Sequence, residues 1–295
     1  MEFSHLKAFY QVAISGTFSK AAEELFISQP ALSRQIAALE KELDLQLFTR
    51  QSRQVVLTDA GRRFLVYVEK IINLNNRAKR EMAELKNLTT GQLTLGASTT
   101  IANYLLPSIL SLYQRKNPNI DIYLNVGNSC EIEEMVYEGK VDIGLIAGTV
   151  NVNGLYQEQF FEDELYLVVP QNHNFIETTN ITSTQLNQET FLCREKGSDT
   201  QQLLDDLLAN FDISPRKLTL GDTEAIKRGV INNMGVAFLS KYTFEYEFQL
   251  GLLVPIKEIS MKRSFSISYP KSTRLSPAAL AFWSLIKKYE ILNHI

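Results

Sequence analysis

The sequence predicts an N-terminal α-helical winged helix-turn-helix, a long linker helix and a C-terminal α/β region of two lobes. Three observations support this fold class. Two capped helices follow each other closely between residues 16 and 43, a heptad pattern of apolar residues begins after residue 60, and strand and helix patterns alternate after residue 91. We therefore expect domains at residues 1–60, 61–90 and 91–295, the last of them long enough to bury sizeable cores.

Turn and capping residues divide the first domain into two short helices. Gly16-Thr17 opens the first helix, and Phe26-Ile27-Ser28 separates it from a second helix over residues 29–43. Pro30 stands in the first turn of that second helix, where its missing N–H costs nothing. One stripe of the second helix is apolar and is expected to be buried, namely Leu32, Ile36, Leu39 and Leu43.

The opposite face of the second helix carries polar side chains at its N-terminal end. These outward-pointing residues are Ser28, Gln29, Pro30, Ser33 and Arg34. Glutamine can bond an adenine edge at two points, arginine can grip guanine O6 and N7, and serine can serve a base or a phosphate. The pattern predicts a helix that reads the major groove of DNA. A merely solvated face is the alternative for an isolated helix, and the ordered series of motifs argues against it.

Residues 47–58 predict two short strands around a polar, basic tip, which is the pattern of a wing. Arg50 and Arg53 are its candidate phosphate contacts. Residues 1–90 contain 13 Lys and Arg against 10 Asp and Glu, whereas the remainder contains 17 against 23. Because this asymmetry is mild, DNA affinity is expected to come from a few placed cations and from dimerisation.

A helix is predicted from about residue 58 to residue 88, with a heptad seam along it. The seam consists of Phe64, Val68, Ile71, Asn75, Ala78, Met82 and Leu85. Such a seam requires a second helix, so we predict at least a homodimer whose linker helices space two recognition helices on a pseudo-palindromic site. Asn75 either fixes the register of the pair as a buried polar residue or is exposed where the helices cross.

After Gly91 the alternation of strands and helices predicts a mainly parallel sheet with helices on both faces. Two lobes fit the pattern better than one. Because a late strand at residues 264–269 precedes a helix at 277–292, the chain is expected to return to its first lobe. Lobe I is placed at about 91–164 and 268–295, and lobe II at about 165–267.

Several strand-to-helix junctions of this region are polar, and ligands of open α/β sheets bind at such junctions. The candidate ligand contacts are Ser98, Thr99, Thr100, Asn128, Ser129, Arg194, Ser198, Thr200 and Thr223. Hydroxyls and helix dipoles around Arg194 favour a small carboxylate, phosphate or sulfate. Each junction alone is also explained by N-capping. Glu195 and Asp199 would repel an anion if they faced inward.

Three runs of this sequence together resemble the DNA-binding domain of the LysR-type transcriptional regulators. They are Phe18-Ser19-Lys20-Ala21-Ala22, Ser28-Gln29-Pro30-Ala31-Leu32-Ser33, and Leu47-Phe48 through Leu57-Thr58-Asp59-Ala60-Gly61. The resemblance implies a sequence-specific regulator that binds double-stranded DNA and a small effector, and that forms tetramers from two dimers. RNA polymerase is left open as a further partner.

The same resemblance implies a periplasmic-binding-protein-like effector domain, with crossovers near residues 166–170 and 264–269. It also places effector contacts at Thr99, Thr100 and Ser129 and near Thr200 and Thr223. The runs Ala97-Ser98-Thr99-Thr100-Ile101 and Thr223-Glu224-Ala225-Ile226-Lys227 resemble regulators of sulfur or carbon assimilation.

The composition is that of an ordinary globular protein, with 45% hydrophobic and 21% charged residues. Because no run approaches the length of an apolar membrane span and the N-terminus lacks the pattern of a signal peptide, we expect a cytoplasmic protein without a membrane partner. Two cysteines, Cys130 and Cys193, do not form a disulfide framework in a cytosolic chain of this size. We expect both to occupy apolar structural positions rather than to act as a redox switch.

Nothing in the sequence predicts catalysis, a cofactor or a metal site. His5, His173 and His294 are widely separated, and no glycine-rich phosphate-binding fingerprint occurs. The acidic run at Glu131, Glu133 and Glu134 is expected to be solvated. An enzyme is therefore not expected. The alternative to a regulator is a solute-binding protein that uses its DNA-binding domain only as a tether.

Overall fold

The computed structural model describes residues 1–51, 54–86, 91–148, 152–271 and 274–293. Within these ranges, the side chains of some helix and strand residues are left undescribed, namely residues 50, 51, 54, 77, 80, 81, 83–86 and 289–293. The chain forms two compact units, Met1–Ala83 and Glu84–Ile295. The domain limits expected from the sequence remain predictions.

The first unit begins with helices α1 (Phe3–Ser15), α2 (Phe18–Glu24) and α3 (Gln29–Leu43). Thr17 caps α2 by accepting a hydrogen bond from the Lys20 backbone N–H, and Ser28 caps α3 through the Ala31 N–H, both at 3.3 Å. The bounds predicted for α3 are confirmed. Its apolar stripe packs with α1, which the sequence analysis did not single out, in a core that includes Leu6, Phe9, Val12, Leu32, Ile36 and Leu39.

The wing follows as strands β1 (Phe48–Gln51) and β2 (Gln54–Leu57), which pair antiparallel. Helix α4 (Asp59–Lys86) then runs from the first unit into the start of the second. Gly61 lets its first turn lie directly on the wing, because a Cβ at this position would come within 2.1 Å of the Leu47 carbonyl oxygen. The predicted wing and linker helix are therefore present.

The second unit starts with alternating strands and helices. They are β3 (Gly91–Ser98), a π-helical turn (Ile101–Leu105), α5 (Leu106–Lys116), β4 (Ile120–Gly127), α6 (Ser129–Tyr137), β5 (Ile143–Ala147) and β6 (Leu155–Pro170). The sequence predicted this order, with two differences. The first turn of the helix at residue 101 is wider than an α-helix, and β6 begins ten residues before the strand expected at residue 165.

The remaining elements lie mostly around a second core. They are a 3₁₀ turn (Asn174–Glu177), α7 (Ser183–Gln188), β7 (Thr190–Cys193), α8 (Asp199–Asn210), β8 (Arg216–Thr219), α9 (Thr223–Ile231), β9 (Ala237–Ser240), α10 (Glu245–Gln249), β10 (Leu253–Pro270) and α11 (Pro277–Asn293). The sequence predicted only the last third of β10.

The main sheet has the strand order β4-β3-β5-β10-β6-β9. Strand β3 pairs parallel with β4 and β5, whereas β10 and β6 pair antiparallel along most of their length. The expectation of a mainly parallel sheet was therefore wrong for its second half. Strands β7 and β8 form a separate parallel pair.

The two long strands β6 and β10 belong to both cores of the second unit. Phe160, Phe265 and Ile267 pack in the core formed with α5 and α11, which we call the core of lobe I. Leu165 and Ile256 pack in a second core, that of lobe II, with β7 and α8. Strand β10 therefore passes from the core of lobe II to the core of lobe I between residues 256 and 265.

Candidate functional site

The N-terminal end of α3 presents the residues that the sequence predicted to read DNA. Gln29, Pro30 and Arg34 are exposed and Ser33 is half-buried, whereas the stripe on the other side of the helix is buried. Ser28 is exposed and is also the N-cap of the helix. The arrangement leaves polar side chains at the end of the helix that enters a major groove in helix-turn-helix proteins.

The turn before α3 contains two features that the sequence analysis missed. Ser19 on α2 donates a hydrogen bond of 3.2 Å to the side-chain oxygen of Gln29, which orients that side chain. Phe26 has a positive φ of 56° and is 95% exposed. A phenylalanine at a helix break was the available signal, because a large apolar side chain in the left-handed region is uncommon.

The wing is anchored to the helices by backbone contacts. The Val55 N–H donates to the Gly16 carbonyl at 3.2 Å, and a carboxylate oxygen of Glu40 accepts from the N–H groups of Leu47 and Phe48 at 2.7 and 3.2 Å. Arg53 and the side chain of Arg50 lie outside the described residues. Their contacts with phosphate remain predictions.

The seam predicted along α4 needs correction at its N-terminal end. Val68 is fully buried in the core of its own unit, and Phe64 contacts Phe9 there, with ring centroids 5.2 Å apart. Their apolar side chains face this core because the first turns of α4 cover the helices. Neither Phe64 nor Val68 is therefore available to pack against a second helix, and the predicted seam is wrong at these two positions.

A different set of side chains on α4 is exposed. We call this set the α4 stripe, and it consists of Tyr67, Ile71, Leu74, Ala78 and Met82. It retains three of the predicted seam residues. Asn75 lies beside the stripe, and its side-chain nitrogen is buried without a hydrogen-bond partner in the described part of the chain. The side chain of Leu85 is outside that part.

A small cavity separates the two cores of the second unit. It measures about 220 Å³ with the solvent at its mouth. Eight of the nine predicted ligand contacts line it: Ser98, Thr99, Thr100, Asn128, Ser129, Arg194, Ser198 and Thr200. The structure thus brings together residues from three separate strand-to-helix junctions.

Some of these polar side chains have structural partners. Asn128 caps α6 in a reciprocal arrangement with Glu131, and the Ser129 hydroxyl donates to the Ala147 carbonyl at 2.8 Å. The Ser98 hydroxyl is buried and has no hydrogen-bond partner among the residues described. N-capping therefore accounts for Asn128, while Ser98 remains available to a ligand.

Arg194 joins the two sides of the cavity. One guanidinium nitrogen, Nη1, donates to the Thr223 hydroxyl at 2.9 Å, and Nη2 approaches the Thr99 hydroxyl at 3.4 Å. Glu195 forms a two-point ion pair with the same group, at 2.8 and 2.9 Å. The positive charge of Arg194 is thus largely matched within the protein, and Thr223 reaches the site through Arg194.

A second arginine in the cavity was missed by the sequence analysis. Arg263, on β10, donates from Nε to Asp163 at 2.7 Å, and both side chains are almost fully buried. Its Nη1 contacts Thr200 at 2.9 Å and Asp199 at 3.3 Å. Its Nη2 is buried and finds no acceptor in the described structure. Asp199 therefore faces the cavity, in the orientation that would repel an anion.

The cavity adjoins a wider cleft that opens to solvent. This cleft measures about 1450 Å³ with the solvent at its mouth, and its lining includes Cys130, Lys196, Gln201 and Lys217. Lys217 is paired with Asp205 at 2.6 Å. The cleft and the cavity share Ser129, Arg194, Ser198 and Asp199 in their linings.

Helix α6 behind the cavity contains a buried acid, which corrects another expectation. Glu133 is 0% exposed, whereas Glu131 and Glu134 are exposed as predicted. Gln157 donates to the Glu133 carboxyl group. Burial raises the pKa of Glu133 to about 7.

Both cysteines are free thiols. Cys193 is buried in the core of lobe II, as expected, whereas Cys130 is exposed near the start of α6, so the apolar position expected for it was wrong. Burial is the main cause that raises the pKa of each thiol. Within the described ranges, no group of three or more His, Cys, Asp or Glu side chains is arranged to hold a metal ion. Nor does any described helix have the length and apolar character needed to cross a membrane.

The helix-turn-helix unit and the polar cavity between two α/β cores define a DNA-binding regulator with an effector domain. Residues 3–62 match the family model "Bacterial regulatory helix-turn-helix protein, lysR family", and residues 86–290 match "LysR substrate binding domain". The chain belongs to the LysR family of transcriptional regulators, which are not enzymes.

Known proteins resemble the chain over nearly its full length. A protein of Chlorokybus atmophyticus named "Probable RuBisCO transcriptional regulator" is 36% identical over 280 residues, which cover 92% of this chain and 90% of that protein. The crystal structure of CbnR, a LysR family transcriptional regulator, has a TM-score of 0.72 at 21% identity and covers 98% of this chain and 99% of its own. It therefore shows the fold.

The second unit is similar to a solved regulatory domain. The Synechocystis PCC6803 CcmR regulatory domain, in complex with 2-PG, is 27% identical, with a TM-score of 0.64 over 68% of this chain and 97% of that one.

Proposed function

We propose that this regulator binds promoter DNA through α3 and its wing, as a homodimer, and that a small anion in the cavity between the two lobes controls it. The observation that supports an anionic effector is the unsatisfied guanidinium group of Arg263. Its Nη2 is buried in a cavity lined with hydroxyl groups and has no acceptor among the described residues. A buried guanidinium nitrogen without a partner is costly, and an anionic oxygen satisfies it.

Residues at the helix N-termini complete the proposed effector site. The cavity is lined at the starts of α6 and α8, whose dipoles favour negative charge. Ser98, Thr100 and Thr200 supply hydroxyls beside them. The complex of the CcmR regulatory domain with 2-PG makes 2-PG the first effector to test.

The DNA contacts proposed are those of Ser28, Gln29, Pro30, Ser33 and Arg34 on α3, with Arg50 and Arg53 on the wing. Two copies are needed to occupy a pseudo-palindromic site, since each supplies one recognition helix. The α4 stripe supports this assembly because it leaves large apolar side chains exposed along about four turns of one helix. Two such dimers form the proposed tetramer.

Control by the effector follows from linkage. An anion that binds one arrangement of the lobes more tightly shifts the oligomer towards it, and the spacing of the recognition helices or the bend of the DNA changes with it. A coupling of roughly 1–3 kcal/mol suffices to alter promoter occupancy several-fold.

The name of the relative supplies a first target. We propose that the chain regulates genes of carbon assimilation, beginning with those of RuBisCO, and acts in the cytoplasm, where it has access to DNA. Retardation of DNA from upstream of those genes, and not of a scrambled duplex, is the expected result. Equal retardation of both duplexes would show that the chain does not recognise the sequence upstream of the RuBisCO genes, and the proposed target would be wrong.

The effector is tested by isothermal titration calorimetry of the full chain with 2-PG and with inorganic phosphate. We expect saturable binding that weakens in Ser98→Ala, while Ser108→Ala on α5, outside the cavity, binds as the parent does. DNase footprints with and without saturating 2-PG then test control. Binding that leaves the footprint and the DNA bend unchanged would favour a solute-binding protein with a DNA tether.

A further inference from the structure

We propose that the carboxylate of Asp199 is a built-in competitor of the effector, which holds Arg263 until an anion displaces it. The inference rests on the proposed anionic effector and concerns the group that occupies the effector site before the effector binds. It begins from the unequal partners of the Arg263 guanidinium. These partners separate a permanent contact from an exchangeable one.

The contact with Asp163 is the permanent one. Arg263 Nε lies 2.7 Å from Asp163, whose second oxygen accepts a hydrogen bond from the Ser240 hydroxyl at 2.8 Å. The side chains of Arg263 and Asp163 are 3% and 0% exposed. Because removal of either partner would leave a buried charge, this pair belongs to the framework of the fold.

The contact with Asp199 is weaker. Its carboxylate oxygen lies 3.3 Å from Nη1 of Arg263, and the Asp199 side chain is 16% exposed. The same Nη1 donates to the Thr200 hydroxyl at a shorter distance, 2.9 Å. Asp199 thus makes a single long contact with a guanidinium group that has other hydrogen-bond partners. If the Asp199 side chain moves away, only this one weak contact is lost.

Asp199 also stands where a bound anion is expected. It is the first residue of the twelve-residue helix α8, and Ser198 before it makes no side-chain cap within the described structure. Gly148 opposite has no Cβ, and one placed there would lie 1.8 Å from an oxygen of Asp199. The carboxylate therefore fills a space bounded by a helix N-terminus, a guanidinium and a bare backbone, which together suit an anionic oxygen.

The ionised carboxylate is poorly solvated in this position, and burial raises the pKa of Asp199. An effector that enters the cavity meets Arg263 Nη2 unpartnered and Nη1 held by Asp199. Binding then exchanges one anion for another, with the Asp199 side chain turning towards the open cleft. Because a ligand must displace the Asp199 carboxylate, Asp199 lowers the affinity for every anion. Only anions that interact with Arg263 more strongly than this carboxylate does bind well.

The test compares the full-length parent chain with Asp199→Asn and Asp199→Ser by isothermal titration calorimetry, with 2-PG and inorganic phosphate as probes. Both variants remove the charge, and both residues are accepted near a helix N-terminus. We expect them to bind the anions roughly tenfold more tightly than the parent, because a like charge close to the ligand is lost. Circular dichroism confirms that helix content is retained.

The matched control is Asp206→Asn, which removes the same charge from an exposed position of the same helix. It should bind as the parent does. If the parent binds an anion and both Asp199 variants bind it equally or more weakly, Asp199 does not compete with the effector. The proposed effector site in the cavity would still stand. An equal gain in the control assigns the effect to the overall charge and also overturns the competition. If no protein binds either anion, the proposed effector class fails, and the competition fails with it.

Discussion

The Tyr104 hydroxyl donates a hydrogen bond to the Glu224 carboxylate, and this contact joins the π-helical turn of lobe I to helix α9 of lobe II. Lys227, almost fully buried, holds Glu224 from the other side at 2.8 Å and lies 5.6 Å from the Tyr104 ring centroid. Burial is the main cause that raises the pKa of Tyr104, which keeps its hydroxyl protonated as a donor. The contact therefore links the two lobes directly, on α9 next to the cavity side chain Arg194, which bonds Thr223 at the start of the same helix.

Tyr104→Phe is expected to weaken binding of 2-PG about two- to tenfold, the equivalent of one hydrogen bond of roughly 0.5–1.5 kcal/mol. The enclosed arrangement becomes less populated, and the effector must restore it. Calorimetric titration measures the change. Tyr246→Phe, at an exposed tyrosine of the same lobe as α9, is the control. Undiminished affinity in Tyr104→Phe would show that the contact does not contribute to closure.

Arg34→Ala is expected to cost roughly 1–3 kcal/mol of binding to the specific site and to relax sequence preference. The reason is that an arginine at the exposed end of α3 can form two hydrogen bonds with a guanine. Mobility shifts on specific and random duplexes measure the effect. Lys41→Ala, near the other end of the same helix, removes a charge without touching this end. A loss of equal size on both duplexes would assign Arg34 to phosphate.

Leu74→Glu should convert dimers to monomers. Leu74 is 62% exposed in the centre of the α4 stripe, and a charge there opposes burial against a second helix. Burial of one leucine is worth about 1.5–3 kcal/mol, so the dimer dissociation constant should rise at least roughly tenfold. Sedimentation equilibrium measures it. Asn76→Glu introduces the same charge on the opposite side of α4 and should leave the dimer intact.

Glu133→Gln is expected to stabilise the second unit at neutral and higher pH. The pKa of Glu133 rises from 4.5 to about 7 on folding, so the folded chain retains a proton that the unfolded chain has lost. The parent therefore loses stability as the pH rises through this window, and the loss is complete above it.

Urea denaturation measures this loss at about pH 5 and about pH 8, where the advantage of Glu133→Gln should grow by on the order of 1–3 kcal/mol. Glu134→Gln, an exposed neighbour on α6, should show no such growth. An advantage for Glu133→Gln that stays constant between the two pH values would contradict burial of an ionisable carboxyl group there.

The sequence predicted the elements whose causes are local. Helix α3 was placed to the residue because its N-cap, its first-turn proline and its apolar stripe are neighbours in the chain. The polar junctions of the cavity were found for the same reason. Their roles as ligand contacts remain predictions, since Asn128 shows how capping produces the same pattern.

Other features depend on contacts that the local sequence does not reveal. Periodicity identified the apolar side of α4 and could not tell whether Val68 faces a partner or its own core. Strand β6 was missed before residue 165 because its acidic residues hide the alternation. Arg263 was missed with the equivalent part of β10, although a charged residue within an apolar strand pattern was a signal for a buried ion pair.

Strands β6 and β10 extend from one core into the other, and their pairing is irregular at two places, between Ile256 and Ser260 and between Phe265 and Ser266. Irregularities of this kind bend a strand pair without abolishing it. The lobes are therefore expected to move relative to each other by bending of this strand pair, which stays hydrogen-bonded on both sides of each irregularity. Such a joint permits small rotations of the two lobes and resists their separation.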